Sequence, residues 1–392
     1  MSENDGRIDA YLQANQTRYL GELSELCAQP SVSSSGEGVA ECATLVARLL
    51  EEHGLAVQTY QTAGFPVVVG RAAGRSPRTL LFYNHYDVQP AEPLELWDSP
   101  PFQPTIRDGA LYARGAKDDK GELIARLAAL DAVRHANDGE LPCGVLFVVE
   151  GQEEVGSPHI AQFVREHAHE LECHGAIWEE GGINEEGRQV ITLGKRGILA
   201  IELHAATMST DAHSGGAHNL PNAAWRLVQA LATLRDHDGR ILISGFYDDA
   251  LGPDELDERI LAEMPDEEAN LRATYGVKDF VGGRTGKDLN RAVFQPTCNI
   301  AGLTAGHQGP GVKTVIPAHA RAKIDFRLVP RQDPDDIERK LRAHLDAHGF
   351  QDVTIDRLGA MWPDRAPADD PLVQLTDRTA QDVYGKPALL YP

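Results

Sequence analysis

The chain has 392 residues and a formal net charge of −22. At ~100–200 residues per domain it has room for two or three domains, and its charge argues against nucleic acid or an anionic membrane as partner. No apolar run approaches the ~18 residues of a membrane span, the acidic start Met1-Ser2-Glu3-Asn4-Asp5 lacks the pattern of a secretion signal, and five dispersed cysteines without a C-x-x-C pair speak against a disulfide framework or thiolate zinc site and fit a reducing cytoplasm.

Apolar residues Ile8, Leu12, Tyr19, Leu23 and Leu26 recur with a roughly helical period, and Glu41 to His53, stopped by Gly54, reads as a second helix. Thr79 to Tyr83 is an apolar run expected to form a buried strand. A helix is expected over 122–135, a second buried strand over 144–149, and a short third strand over 176–178. Strands alternating with helices predict an α/β domain with a mainly parallel mixed sheet flanked by helices. The pattern changes near Gly197. Ile198 to Ala205 and Arg321 to Leu328 alternate apolar with polar, as an antiparallel sheet with one wet face requires. Helices are expected from Pro221 to about Arg235 and from Asp335 to His348. The acidic segment Tyr247 to Asp279 is expected to be an exposed excursion. The expected domains are 1–197 with 357–392, and an inserted α+β domain over 198–356.

Each expected strand of the first domain ends in polar residues that carry chemistry. Asn84-His85-Tyr86-Asp87 follows the first strand, Glu150-Gly151-Gln152-Glu153-Glu154 the second, and Glu179-Glu180-Gly181-Gly182 the third, while Asp118-Asp119-Lys120-Gly121 opens a helix. Ligands of open α/β sheets bind beyond the carboxyl ends of the strands. Taken singly, each motif reads as a loop polar pair, a solvated turn or a helix cap. Together they would gather one histidine and several carboxylates, which repel one another unless cations lie between them. Zinc accepts such a mixed nitrogen and oxygen set, and two metals ~3.5–4 Å apart can share a carboxylate and a water.

Longer strings carry a family resemblance. His85-Tyr86-Asp87-Val88-Gln89-Pro90, Trp97 to Phe102, Asp108 to Gly115, Asp118 to Gly121, Glu153 to Ser157, Gly194-Lys195-Arg196-Gly197, Asp211-Ala212-His213-Ser214-Gly215, Lys313 to Pro317 and Arg327 to Pro330 resemble the carnosinase-type two-zinc metallopeptidases. That group includes carboxypeptidase G, succinyl-diaminopimelate desuccinylase and acetylornithine deacetylase. Bacterial dipeptidases are the nearest in pattern, and the likeness covers residues 8 to 392. It implies a catalytic domain plus a lid and dimerisation domain. It also implies a hydrolase that cleaves dipeptides or short peptides with a free C-terminal carboxylate. N-acyl amino acid deacylation is the alternative activity, and a catalytically inactive binding protein the alternative class.

The resemblance further implies the roles. Two divalent metals, zinc first and manganese or cobalt otherwise, would be held by His85, Asp118, Glu154 and Glu180, with Asp118 between them. Asp87 would orient the His85 ring. Glu153 would take a proton from a water between the metals and pass it to the leaving amine. His213 would reach into the site of a homodimer partner and stabilise the oxyanion. Arg327, with Lys313, Thr314 and Asn299, would hold the substrate carboxylate. Relatives carry a further metal-binding histidine near the C-terminus, but no histidine follows His348 here. A substrate-binding histidine is also missing, where the sequence reads Leu358-Gly359-Ala360-Met361. The C-terminal part is therefore expected to be incomplete. It would be a fragment, a natural truncation, or a site in which water replaces the histidine.

Overall fold

The central strand of the first part of the chain is buried on both faces, and this sets its layers. The computed structural model describes residues 3–179 and 181–392, and the chain divides into two compact units, Met1–Gly181 and Gly182–Pro392. Helices α1 (Glu3–Ala28) and α2 (Val39–Glu52) precede strands β1 (Ala56–Tyr60), β2 (Val67–Ala72) and β3 (Ser76–His85). A hairpin of β4 (Thr105–Arg107) and β5 (Ala110–Tyr112) turns at Asp108 and Gly109, both at positive φ, as a two-residue turn with matching twist demands. Then come α3 (Lys120–Ala136), β6 (Cys143–Glu150), α4 (Ile160–Glu166) and β7 (Gly175–Ile177).

Among the described residues these strands build a five-stranded sheet in the order β1-β2-β6-β3-β7. β6, β3 and β7 are parallel, as the sequence predicts. β1 and β2, which the sequence reading did not pick out, add an antiparallel edge. Side chains of β6 point alternately to two cores. Val145, Phe147 and Val149 pack with Leu49, Leu50, Leu123 and Leu127 of α2 and α3, while Leu146 and Val148 pack with Tyr60, Val67 and Phe163.

Lys120, at the start of α3, is fully buried, and its Nζ donates to the carbonyls of Leu26 (2.9 Å) and Gln29 (2.8 Å). Burial lowers its pKa. Lys120→Met keeps the length but leaves both carbonyls without a donor. The cost of such orphaned groups, about 1–3 kcal/mol each, predicts a loss of about 2–4 kcal/mol in urea denaturation. An unchanged midpoint would show that water satisfies those carbonyls.

The second unit begins with short strands β8 (Gly182–Ile183), β9 (Gln189–Thr192) and β10 (Gly194–Lys195), then the long β11 (Gly197–Ala206) and the short β12 (Ala212–His213). Helices α5 (Ala223–Ala232), α6 (Glu255–Glu263), α7 (Glu268–Tyr275) and α8 (Asp288–Arg291) follow. Next are β13 (Thr297–Ala305), β14 (Val315–Ile316), β15 (His319–Leu328), α9 (Pro334–Ala347), β16 (Thr354–Met361), β17 (Asp364–Arg365), α10 (Pro371–Tyr384) and β18 (Leu389–Tyr391). Its main sheet is antiparallel, in the order β13-β15-β11-β16. Ala322, Ile324, Phe326 and Leu328 are all buried, with Leu199, Ile201 and Leu203 beside them, under Leu227 of α5 and Leu341 and Leu345 of α9. β18 lies parallel to β9 in a separate small sheet.

Three expectations need correction. Residues 247–279 are not simply an exposed excursion, because α6 and α7 form within them. Ile260, Leu261 and Met264 are buried there, and Asp257 is buried in a two-pronged ion pair with Arg365. The helix expected from Pro221 starts later, because Asn222 caps it by accepting from the backbone of Ala224 and Trp225. β16 carries the main sheet to Met361, past the boundary drawn at residue 357.

Candidate active site

The site grows from the carboxyl ends of the three parallel strands in the first unit. β3 delivers His85, β6 delivers Glu150, and β7 leads through Trp178 to Glu179. The turn after β6 is tight, because a Cβ on Gly151 would lie 2.4 Å from the Tyr86 ring, so only glycine fits. Glu153 opens the 3-10 turn Glu153–Val155, closed by Gly156 at positive φ.

Asp87 is fully buried and receives both backbone N–H groups of this turn. Its Oδ1 accepts from Glu153 N and its Oδ2 from Glu154 N, each at 3.1 Å. The His85 ring, also buried, donates through Nδ1 to the Asp87 carbonyl (3.0 Å), and its Nε2 lies 2.9 Å from Asp118 Oδ1. The Asp87 carboxylate stands 3.4 Å from the same Nδ1. Behind the ring, Asp119 Oδ2 accepts from Asn84 Nδ2 (2.7 Å) and from the backbone N–H of His85 (2.9 Å). Donor atoms of His85, Asp119 and Glu179 all lie within 4.8 Å of one another, and all three residues are buried.

The electrostatics follow from this crowding. Burial disfavours a charged His85, but Asp118, Asp87 and Asp119 outweigh it and hold its pKa at about 11. The hydrogen bond from His85 pulls the Asp118 carboxyl below its ordinary range. Burial pushes Asp119 up to about 6 against the pull of His85 and Asn84. Glu150 is raised by burial too, although Tyr83 (2.5 Å) and Ser157 (2.7 Å) donate to its Oε1. Negative charge thus collects around one imidazole in a water-poor place, which favours a cation. The residues fit a divalent metal, because Asp119 Oδ1 is buried with no hydrogen-bond partner and a mixed imidazole and carboxylate set suits zinc and its neighbours.

The profile of the peptidase family M20/M25/M40 matches residues 81–391. The chain belongs to that family. The Beta-Ala-His dipeptidase of Mus musculus is 30% identical over 337 residues, which cover 83% of this chain and 68% of that protein. The Cysteinylglycine-S-conjugate dipeptidase of Corynebacterium striatum is 29% identical over 384 residues, covering 95% and 82%. The crystal structure of the M20 family metallo-carboxypeptidase Sso-CP2 from Sulfolobus solfataricus superposes with a TM-score of 0.86 at 34% identity, covering 95% of this chain and 85% of that one. As an M20 peptidase the chain is a metallopeptidase-type hydrolase, in keeping with the resemblance.

Within this M20 chain, His85, Asp87, Asp118, Glu153 and Glu154 come together in the first unit. Glu154 Oε2 accepts from Gln89 Nε2 (2.9 Å). Glu180 lies outside the described residues. In the second unit His213 sits at the end of β12, where Gly215 N–H donates to its Nδ1 and its Nε2 lies 3.0 Å from Thr314 Oγ1. Asn299 donates to Asp325 across β13 and β15 (2.9 Å), and Arg327 stands two pairs further along, opposite Thr297. Lys313 is exposed just before Thr314. Sequence reasoning gave no role to Asp119, Glu179, Glu150, Asn84 or Gln89. Asp119 and Glu179 are the immediate neighbours of residues it did choose, so the motifs were the signal and only the choice within each pair was open.

Proposed function

We propose that this M20 peptidase is a two-metal dipeptidase that cleaves the amide bond of dipeptides or short peptides bearing a free C-terminal carboxylate. The buried His85 ring, set among Asp118, Asp119 and Glu179 beside a turn anchored on Asp87, is the observation that carries the reading. The ligands are His85, Asp118, Glu154 and Glu180, with zinc as the metal and manganese or cobalt as substitutes. When bound, the metals polarise the scissile carbonyl and ease the deprotonation of water. Glu153 takes that proton and returns it to the leaving amine. Asp87 fixes the His85 ring through Nδ1 and fixes Glu153 through its backbone. Arg327, supported by Lys313, Thr314 and Asn299, recognises the terminal carboxylate, which a planar guanidinium matches in geometry. His213 stabilises the developing oxyanion.

The test is turnover of a dipeptide panel beside N-acetyl and N-succinyl amino acids, with metal content measured on the same sample. We expect cleavage of dipeptides and two metal equivalents. Cleavage of acylated amino acids alone would replace the dipeptidase reading, and retained metal without turnover would point to a binding protein.

The proposed role of His213 requires a homodimer. The exposed Trp225 and Val228 of α5 are consistent with a covered face. Sedimentation is expected to show a dimer at micromolar concentration, and a monomer would remove His213 from the mechanism. The domains are proposed as residues 1–197 with 362–392 and an insert over 198–361, which keeps β16 whole. A reducing cytoplasm is the proposed location. All five cysteines are free, and no described helix is long and apolar enough to cross a membrane.

A further inference from the structure

We propose that Arg126 is a positioning residue that locks the acidic cradle, because one guanidinium ties together the strand exits that carry His85 and Glu179 and, through Asn84, reaches Asp119 at the start of α3. Arg126 lies on α3 with its side chain only 12% exposed. Its Nη1 donates to the Tyr83 carbonyl (2.6 Å) and to Asn84 Oδ1 (2.8 Å), both at the end of β3. Its Nη2 donates to the Trp178 carbonyl (2.5 Å), just beyond β7. Asn84 is the residue before His85, and Trp178 is the residue before Glu179. Asn84 also passes the contact on, because its Nδ2 donates to Asp119 Oδ2 (2.7 Å). Each member of the cluster is therefore one residue or one hydrogen bond from an Arg126 contact.

A planar fork suits this task, since its two Nη groups diverge toward β3 and β7 in fixed directions. A lysine brings one nitrogen on a flexible stem and cannot hold both exits at that spacing. The cationic head also lies behind carboxylates that repel one another, so it holds them together without occupying the cation's place. A tie that served stability alone would act on folding and leave affinity for a cation unchanged. Groups that orient metal ligands typically change affinity by roughly 10–100-fold when removed.

The inference rests on the proposed metal site, whose ligands His85, Asp118 and Glu180 belong to this cluster or directly adjoin its members in sequence, so the parent protein is measured first, with zinc alone, by competition against a chromophoric chelator. Arg126→Lys and Arg126→Ala are then compared with it, together with Asn84→Ala and the Arg126→Ala/Asn84→Ala double variant. We expect zinc affinity to fall roughly 10–100-fold in each single variant. The double variant should lose little more than Arg126→Ala alone, because Asn84 acts through the same contact. Free guanidinium ion at millimolar concentration should restore part of the affinity of Arg126→Ala, a rescue that a purely structural role would not give. Cobalt absorption should shift in Arg126→Lys, which decides the matter if Arg126→Ala does not fold. Parent-like zinc affinity and cobalt spectrum in Arg126→Lys would overturn the inference while leaving the metal site standing. Absence of zinc binding by the parent would overturn the metal reading itself, and the inference with it.

Discussion

Glu153→Gln is expected to lower kcat by roughly a hundred- to ten-thousand-fold, the range typical of a removed general acid–base, with metal content and melting temperature unchanged. The substitution keeps the size of the side chain and its place on the turn, because the backbone N–H of residue 153 still docks on Asp87 Oδ1. What it removes is the ability to accept a proton. Glu154→Gln should behave differently. It should lose metal before it loses rate, since that carboxylate is assigned as a ligand and rests on Gln89. Steady-state kinetics with elemental analysis on both variants separates the roles of two adjacent residues. Metal loss in Glu153→Gln, with full retention in Glu154→Gln, would mean that the two assignments are reversed.

A second large effect is expected at Asp87. Asp87→Ala strips an acceptor from two backbone N–H groups and a negative charge from beside His85 Nδ1. The side chain is fully buried. A fully buried orphaned donor costs about 1–3 kcal/mol, and these two are part-buried, so a loss of about 1–4 kcal/mol is expected in urea denaturation. Zinc affinity should fall by roughly 10–100-fold, because the ring loses the carboxylate that aligns it. Asp87→Asn should fall between the parent and Asp87→Ala. Its amide can accept from one N–H but turns a donor toward the other. If Asp87→Ala kept both stability and zinc affinity, the turn would be held by its own hydrogen bonds, and Asp87 would be a bystander.

The parts of the fold that could be read from sequence are those whose cause is local. β6 has a nearly unbroken apolar run, α2 is followed within two residues by Gly54 at positive φ, and β15 alternates residue by residue, so each announced itself. β1 and β2 did not. β1 has only Tyr60 buried, and it gains its place by pairing with β2 rather than by its own pattern. Asp257 looked like one more surface acid, because the arginine that neutralises it lies 108 residues further along. The site divides in the same way. His85, Asp118, Glu153 and Glu154 stood in motifs at strand and helix ends, where ligands gather. That Asp119 and Glu179 also turn inward depends on backbone direction, which spacing does not encode. Arg126 was hidden altogether. It reads as a polar position in an amphipathic helix, and two of its acceptors are backbone carbonyls that no side-chain pattern reveals.

The pairing of β18 with β9 has a bearing on synthesis. Leu389 to Tyr391 lie beside Val190 to Thr192, and Arg188 donates to the Ala388 carbonyl across 200 residues of sequence. Long loops make such contacts slow to form. While the ribosome is still making the later residues, β9 lacks its parallel neighbour and exposes an unpaired edge, an invitation to wrong pairing. The first unit is spared this wait, because its sheet is complete once β7 has emerged. The nascent chain would thus carry a finished cradle tethered to an unfinished second unit, and the interval before residue 391 appears is when a holding chaperone would matter most.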